Sequence, residues 1–338
     1  MTAAHTVPPH TLSIVVPFYN EEDNIAPLVK RVHEALVGYE NPWELVLVDD
    51  GSSDATVERA LQSAKEYGPH VRIVELTRNF KQTAAMQAGI DAARGDVIVT
   101  MDGDLQNDPI DIPRMVGRLL REDLDLVAGW RKNRKDGMIL RKIPSKIANR
   151  LIARITGVHL QDYGCSLKAF RASAIKNVRL YGEMHRFIPA WLATVTTPRK
   201  IAQEEVTHHA RMFGESKYGI SRTFRVILDL IFVYFFMRFR TRPGHFFGGI
   251  GLGLGALGML ILSYLGLLKL FTGASIGTRP MFFGGFFFVI AGIQMVTTGV
   301  LAELLTRVYF ESGQSQAYVA QDRAALDDSQ GWRTVGSK

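Results

Sequence analysis

An α/β fold, a doubly wound sheet followed by helices able to cross a membrane, is the class this sequence predicts. Three observations predict it. Between residues 12 and 130, short β-branched runs alternate with amphipathic stretches of helical length. Acidic residues gather where those runs end, at 21–23, 49–50 and 102–104. Beyond residue 243 lie two runs without Asp, Glu, Lys or Arg, 25 residues at 244–268 and 22 at 281–302. At about 1.5 Å rise per residue, each is long enough for a hydrocarbon core of about 30 Å.

The elements follow in order. "LSIVVPF" is a first strand, and the amphipathic stretch at 21–37 a first helix. "WELVLVDD", a helix over 54–67, "VRIVEL", a helix over 82–94, "DVIVTMD" and "LDLVAGW" continue the pattern. Continuous apolar runs bounded by turn residues are the mark of parallel strands covered on both faces, whose ligands bind beyond their carboxyl ends. Residues 131–224 are more basic and less regular, with helices expected near 140–156 and 183–195. "TFRVILDLIFVYFFM" carries Arg225 and Asp229, is short for a span, and precedes Arg238, Arg240 and Arg242; an interfacial helix suits it. The expected organisation is a flexible start at 1–11 without signal-peptide features, a catalytic domain at 12–222, an interfacial helix at 223–242, a membrane hairpin at 243–306 and a loose polar cytoplasmic tail at 307–338.

The net charge is +7, from 40 basic and 33 acidic residues. The basic residues concentrate at 131–154 and 199–242, beside the membrane runs, which favours anionic lipid or phosphate over nucleic acid as partner. One cysteine, Cys165, excludes an internal disulfide and a multi-cysteine zinc site. Arg238, Arg240, Arg242 and Arg307 flank the hairpin on one side, against Lys269 and Arg279 on the other. That bias predicts a multi-pass protein of the inner (cell) membrane with its catalytic domain in the cytoplasm. The glycine pairs 244/248, 249/253 and 251/255 permit close helix approach and a homo-oligomer, although glycine is also simply common in membrane helices.

The chemistry centres on "MDGDLQNDP". Residues two apart at an extended strand end point the same way, so Asp102 and Asp104 are expected to converge around Gly103. A few hard oxygens without His or Cys suit Mg²⁺ or Mn²⁺, held partly through substrate phosphates, and Gln106 can add a neutral oxygen. The plainer alternative is an acidic turn capping a helix that starts near Asp108–Pro109.

These stretches, with "SIVVPFYNEEDNI", "LVDDGSSDAT", "LTRNFKQTAAMQAGIDAARGDVIVTMDGDLQNDP", "DYGCSLKAF" and "HHARMFGESKYG", resemble the family 2 glycosyltransferases of GT-A (Rossmann-like) fold. Within them the likeness is to the polyprenyl-phosphate transferases related to dolichol-phosphate mannose synthase and to bacterial undecaprenyl-phosphate formamido-arabinose transferases. The resemblance covers about residues 12–310. It implies a UDP- or GDP-linked sugar donor, a polyprenyl phosphate acceptor and an inverting transfer at the bilayer surface. It assigns Pro17, Tyr19 and Glu21 to holding the nucleotide, and Val48 and Asp50 to its base and ribose. Asp102, Gly103, Asp104 and Gln106 go to the metal and diphosphate, Arg131 to the phosphates, and Arg211 and Lys217 to a pair closing over them. The family usually has alanine at the position of Gly103. Arg78, Lys81 and Arg141 remain as helpers; Asp162, beside Cys165, is open to an acid–base role or a turn role. The rival readings are a processive polysaccharide synthase, a nucleotidyltransferase, and a membrane-anchored nucleotide-sugar-binding subunit without turnover. The first lacks its Gln-x-x-Arg-Trp motif here.

Overall fold

The computed structural model describes residues 7–132, 152–154, 156–209, 234–235, 238–239, 243–312 and 320–322. Arg141, Arg211, Lys217 and most of the expected interfacial helix lie outside the described residues. The chain divides into two compact units, one of residues 1–231 with 316–338, the other of residues 232–315.

In the first unit, the four apolar runs form parallel strands β1 (Leu12–Phe18), β2 (Trp43–Asp49), β3 (Val71–Leu76) and β4 (Val97–Thr100). Every residue of β1 and β4 is buried, as strands covered on both faces require. The chain proceeds outward from β1 to β2 to β3, then returns so that β4 pairs with the other side of β1. The strand order thus reverses between β1 and β4, and in open α/β sheets ligands bind beyond the strand ends at such a switch point.

Helices α1 (Glu22–Ala35), α2 (Thr56–Tyr67) and α3 (Gln82–Ala92) make the crossovers. α3 lies so close to the sheet that a Cβ on Gly89 would collide with the side chains of Val15 and Val48. A 3-10 turn at Pro109–Asp111 leads into α4 (Ile112–Arg121), and the Asp108 carboxylate accepts from Ile110 N–H at 3.0 Å. Helix capping therefore falls to Asp108, which leaves Asp102 and Asp104 without that explanation.

The sheet departs from a purely parallel one on both sides. β5 (Leu126–Trp130) does not pair with β4; β6 (Lys168–Arg171) runs antiparallel between them, and β7 (Ile201–Glu205) pairs parallel with β5. At the far edge β8 (Ala320–Asp322) pairs antiparallel with β3, where the sequence led us to expect a loose tail. The full order is β7-β5-β6-β4-β1-β2-β3-β8. "KAFR" and "AQD" are too short for a period to be read, so pairing alone reveals them as strands. α5 (Ala172–Ile175) follows β6, and the helix expected at 183–195 is a 3-10 turn (Met184–Phe187) followed by α6 (Ile188–Leu192).

The second unit is an antiparallel pair, α7 (Pro243–Thr272) and α8 (Pro280–Ser312), both long and apolar enough to cross a membrane. α8 runs past the expected end at 306. Large apolar side chains face outward, Leu270 at 76% and Phe287 at 74% exposure, which is unlike the core helix of a soluble domain. The helices meet through glycine: a Cβ on Gly251 would lie 2.7 Å from the Gly292 carbonyl oxygen, and one on Gly258 equally close to that of Gly285. Glu303 accepts from Gly244 N–H at 3.2 Å, placing negative charge at the start of α7, where the helix dipole favours it.

Candidate active site

The loops beyond the switch point are bonded to one another. After β1, Asn20 N–H donates to Ser52 Oγ and Asn20 Oδ1 accepts from Ser53 N–H, each at 2.9 Å. Glu21 N–H donates to Thr56 Oγ1 at 2.9 Å, while its carboxylate accepts from Asn24 Nδ2. Asp49 closes its own turn by accepting from Gly51 and Ser52 N–H. At Gly51, φ is +72° and a Cβ would lie 2.5 Å from the Arg78 carbonyl carbon, so only glycine lets the two loops touch there. Asn20, Lys81 and Leu105, in the loops after β1, β3 and β4, also hold positive φ. Such backbone strain concentrates where surrounding structure fixes a functional loop.

The expected nucleotide residues divide by exposure. Tyr19 presents its ring at 39% exposure, whereas Pro17 is buried. Val48 is completely buried, with α3 against it, so its side chain is not available to a ligand. Asp50 is 4% exposed, and its Oδ1 accepts from Phe80 N–H at 2.7 Å. Burial raises its pKa, bonds from the Phe80 and Lys81 backbone oppose this, and the carboxylate holds the strained 78–81 loop in place.

Asp102 and Asp104 sit just past β4, in a bend rather than on the strand itself. Burial, and next the charge of Asp104, push the Asp102 carboxyl above its usual range; Ser166, Lys168 and Arg131 pull the other way. Two carboxylates that repel while partly shielded from water, both half-buried, form a donor set suited to a hard divalent cation. Among the described residues no three His, Cys, Asp or Glu cluster as a metal cage. Asp104 Oδ1 accepts from Gln106 N–H at 3.2 Å, and Gln106 C=O accepts from His209 N–H at 2.8 Å. Gly103 is not needed for close approach: a Cβ there would meet Phe18 Cβ at 3.5 Å, ordinary contact.

Arg131 forms a two-bond ion pair with Asp162, Nε to Oδ2 at 2.7 Å and Nη2 to Oδ1 at 3.0 Å. Asp162 Oδ1 also accepts from Gly164 N–H at 3.1 Å. Asp162, the carboxylate weighed as a base, thus ties Arg131 to the 162–164 turn, and Arg131 lies within the electrostatic reach of Asp102.

Four further polar residues line this region that motif reading did not single out. Gln82 Nε2 donates to Asp102 Oδ1 at 2.9 Å. Ser166 contacts Asp102 from the β6 side. Lys168, only 2% exposed, donates from Nζ to the Cys165 carbonyl, and burial lowers its pKa. His185 Nδ1 lies 2.6 Å from Thr83 Oγ1, and burial pushes the imidazole down to about 3, leaving it neutral near pH 7. Gln82, Ser166 and Lys168 stand inside the stretches that carry the family resemblance, but only the fold shows whom they touch.

A doubly wound sheet with paired carboxylates beyond its switch point is a frame in which a nucleotide-bearing ligand binds, and its relatives give its class. The profile described as Glycosyl transferase family 2 matches residues 13–179. The chain is 62% identical over 317 residues to a dodecaprenyl-phosphate galacturonate synthase of Rhizobium johnstonii, covering 94% of this chain and 93% of that protein. It is 36% identical over 323 residues to an undecaprenyl-phosphate 4-deoxy-4-formamido-L-arabinose transferase of Shewanella sediminis, covering 95% of each. Glucosyl-3-phosphoglycerate synthase of Mycobacterium tuberculosis, crystallised with Mn²⁺, UDP and glucosyl-3-phosphoglycerate, shares the fold. Its TM-score is 0.51 at 22% identity, over 67% of this chain and 80% of that one. This chain belongs to the family 2 glycosyltransferases.

Proposed function

We propose that the chain is a membrane-bound inverting transferase that moves galacturonate from a nucleoside diphosphate to a polyprenyl phosphate, yielding a lipid-linked uronic acid for the cell envelope. The observation that carries this reading is the 62% identity to a polyprenyl-phosphate galacturonate synthase along 94% of the chain, hairpin included. The formamido-arabinose enzymes stand much further away, at 36%. Uridine is the proposed base.

In the reaction proposed, an acceptor phosphate oxygen bonds to the anomeric carbon as the bond to the diphosphate breaks, and the nucleoside diphosphate leaves with the electron pair. The residues that would hold a divalent ion are Asp102 and Asp104, with Gln106 beside them; such an ion, Mg²⁺ or Mn²⁺, neutralises charge on the departing diphosphate. Tyr19, exposed on the loop after β1, suits the nucleotide. A phosphate monoester has its second pKa near about 6, so the acceptor is mostly dianionic at pH 7 and needs placing rather than deprotonation. Arg211 and Lys217 are the proposed pair for that task, through charge-assisted hydrogen bonds. Asp162, bonded through both oxygens to Arg131, fits a positioning role better than that of a base.

The apolar outer faces of α7 and α8 support anchoring in a bilayer that also holds the isoprenoid tail. Anchoring confines the search for acceptor to a surface and raises its effective concentration. Glycines 251, 258 and 292 are occupied within the hairpin, so a homo-oligomer would use other positions, such as Gly249 and Gly253.

The reading is tested by incubating purified protein in detergent with Mn²⁺, a polyprenyl phosphate and a panel of UDP- and GDP-sugars, read by mass. The expected product is the uronic acid adduct from UDP-galacturonate alone, lost by at least about 10²-fold in Asp104→Asn. Transfer of a neutral sugar in preference to galacturonate would overturn the substrate; full activity of Asp104→Asn would overturn the metal reading.

A further inference from the structure

Beneath the paired aspartates, the antiparallel insertion of β6 between β4 and β5 brings residues 165–168 under the β4 end, with Thr100 opposite Lys168. Thr100 Oγ1 donates to the Ser166 carbonyl at 3.0 Å, and Lys168 Nζ donates to that of Cys165. Both ties fix the backbone on either side of the Ser166 side chain.

Two N–H donors reach Ser166 Oγ. It accepts from Asn107 Nδ2 at 2.7 Å and from Asp102 N–H at 3.3 Å. The orientation of the Asn107 amide is set independently, because its Oδ1 faces the Cys165 thiol at 3.8 Å, leaving the NH₂ group toward Ser166. Asn107 and Cys165 are both buried, at 4% and 0% exposure, so this arrangement is shielded from water. A hydroxyl has two acceptor lone pairs and one proton. Both lone pairs are thus taken by N–H donors, one of them the backbone of Asp102 itself. From the exposed side, Gln82 Nε2 donates to Asp102 Oδ1 at 2.9 Å.

We propose that Ser166, oriented by Asn107 and bonded to the Asp102 backbone N–H, and Gln82, bonded to the carboxylate, are positioning residues that hold Asp102 in the geometry a divalent cation requires. Neither is a catalytic residue; they act through Asp102. Partners that orient a metal-binding carboxylate typically contribute about 10–100-fold in metal affinity. Binding then costs little reorganisation, because Asp102 is already tied at its backbone N–H and at one carboxylate oxygen.

The inference rests on the metal-dependent reading above, and its test separates the two. Full-length protein in detergent, with UDP present, is titrated with Mn²⁺, and free Mn²⁺ is followed by electron paramagnetic resonance. Ser166→Ala is expected to weaken Mn²⁺ binding about 10–100-fold with an unchanged melting temperature. Ser166→Thr, which keeps the hydroxyl, is expected to restore most of it. In turnover assays the Mn²⁺ concentration for half-maximal rate should rise in Ser166→Ala, while kcat at saturating Mn²⁺ largely recovers. Wild-type affinity in Ser166→Ala overturns the proposal and leaves the function reading intact. Absence of Mn²⁺ binding in the wild type overturns the metal site itself, and this inference with it. Should Ser166→Ala fail to fold, Gln82→Leu, on the exposed side of the same aspartate, decides in its place by the same criterion.

Discussion

His185 shows how a single buried ring can make the whole protein sensitive to pH. In an unfolded chain its imidazole titrates near about 6.5. In the fold, burial, followed by the charges of Arg186 and Lys168, pushes it down to about 3. Between those values the unfolded state binds the extra proton, so stability is full above about pH 6.5 and falls as pH drops. The slope from this group is at most about 1.4 kcal/mol per pH unit. His185→Gln retains a partner for Thr83 but cannot titrate. Its melting temperature is therefore expected to fall less steeply than that of the wild type between about pH 6.5 and 5; parallel curves would show that the ring is already accessible to protons. The same scale accounts for the Arg131–Asp162 pair: a guanidinium fork matches a carboxylate in two bonds as readily as it matches a phosphate.

At the scale of elements, β6 and the hairpin matter most. β6 is four residues long, yet its insertion beside β4 supplies Ser166 to Asp102 and brings Lys168 into the core. In the hairpin, glycines on one face of α7 and α8 admit the opposing backbone, while others meet nothing. This difference yields a paired prediction. Gly251→Leu, whose Cβ would lie 2.7 Å from the Gly292 carbonyl, is expected to force the helices apart and lower the melting temperature in detergent. Gly253→Leu, with open space around it, is expected to leave it near the wild-type value. Close helix approach in a bilayer depends on small residues at the contact itself, so the sequence spacing alone does not distinguish the two. Equal melting temperatures in both variants would remove the packing role assigned to Gly251.

For the whole molecule, the chain leaves the catalytic unit, makes two apolar helices, and returns to add β8 to the edge of β3. Were both helices to cross a bilayer, the chain would return to the side it left, as the arginine bias around the hairpin predicts. Cys165 is fully buried, so the native chain offers little background in a labelling experiment. Ser275→Cys, between the helices, is expected to react with an impermeant maleimide added outside intact cells. Thr197→Cys, on the exposed surface of the catalytic unit, should react only after lysis. Outside labelling of Thr197→Cys would reverse the orientation.

The sequence by itself determined the parts in which one physical signal dominates over many residues. Strands β1 to β4 are apolar runs, the hairpin is two uncharged stretches, and Asp102 and Asp104 stand together because they are two residues apart. Tertiary structure decided what short range cannot carry. β6 and β8 exist through pairing across 68 and 246 residues respectively, counted between the strand partners Thr100 and Lys168 and between Glu75 and Gln321. Val48 and Asp50, read as ligand-facing from their place at a strand end, are buried because α3 and the 78–81 loop close over them. The physical reason is one of range. Hydropathy and strand period act between neighbours in the chain, whereas the direction of a hydroxyl proton or a guanidinium fork depends on partners that only folding supplies.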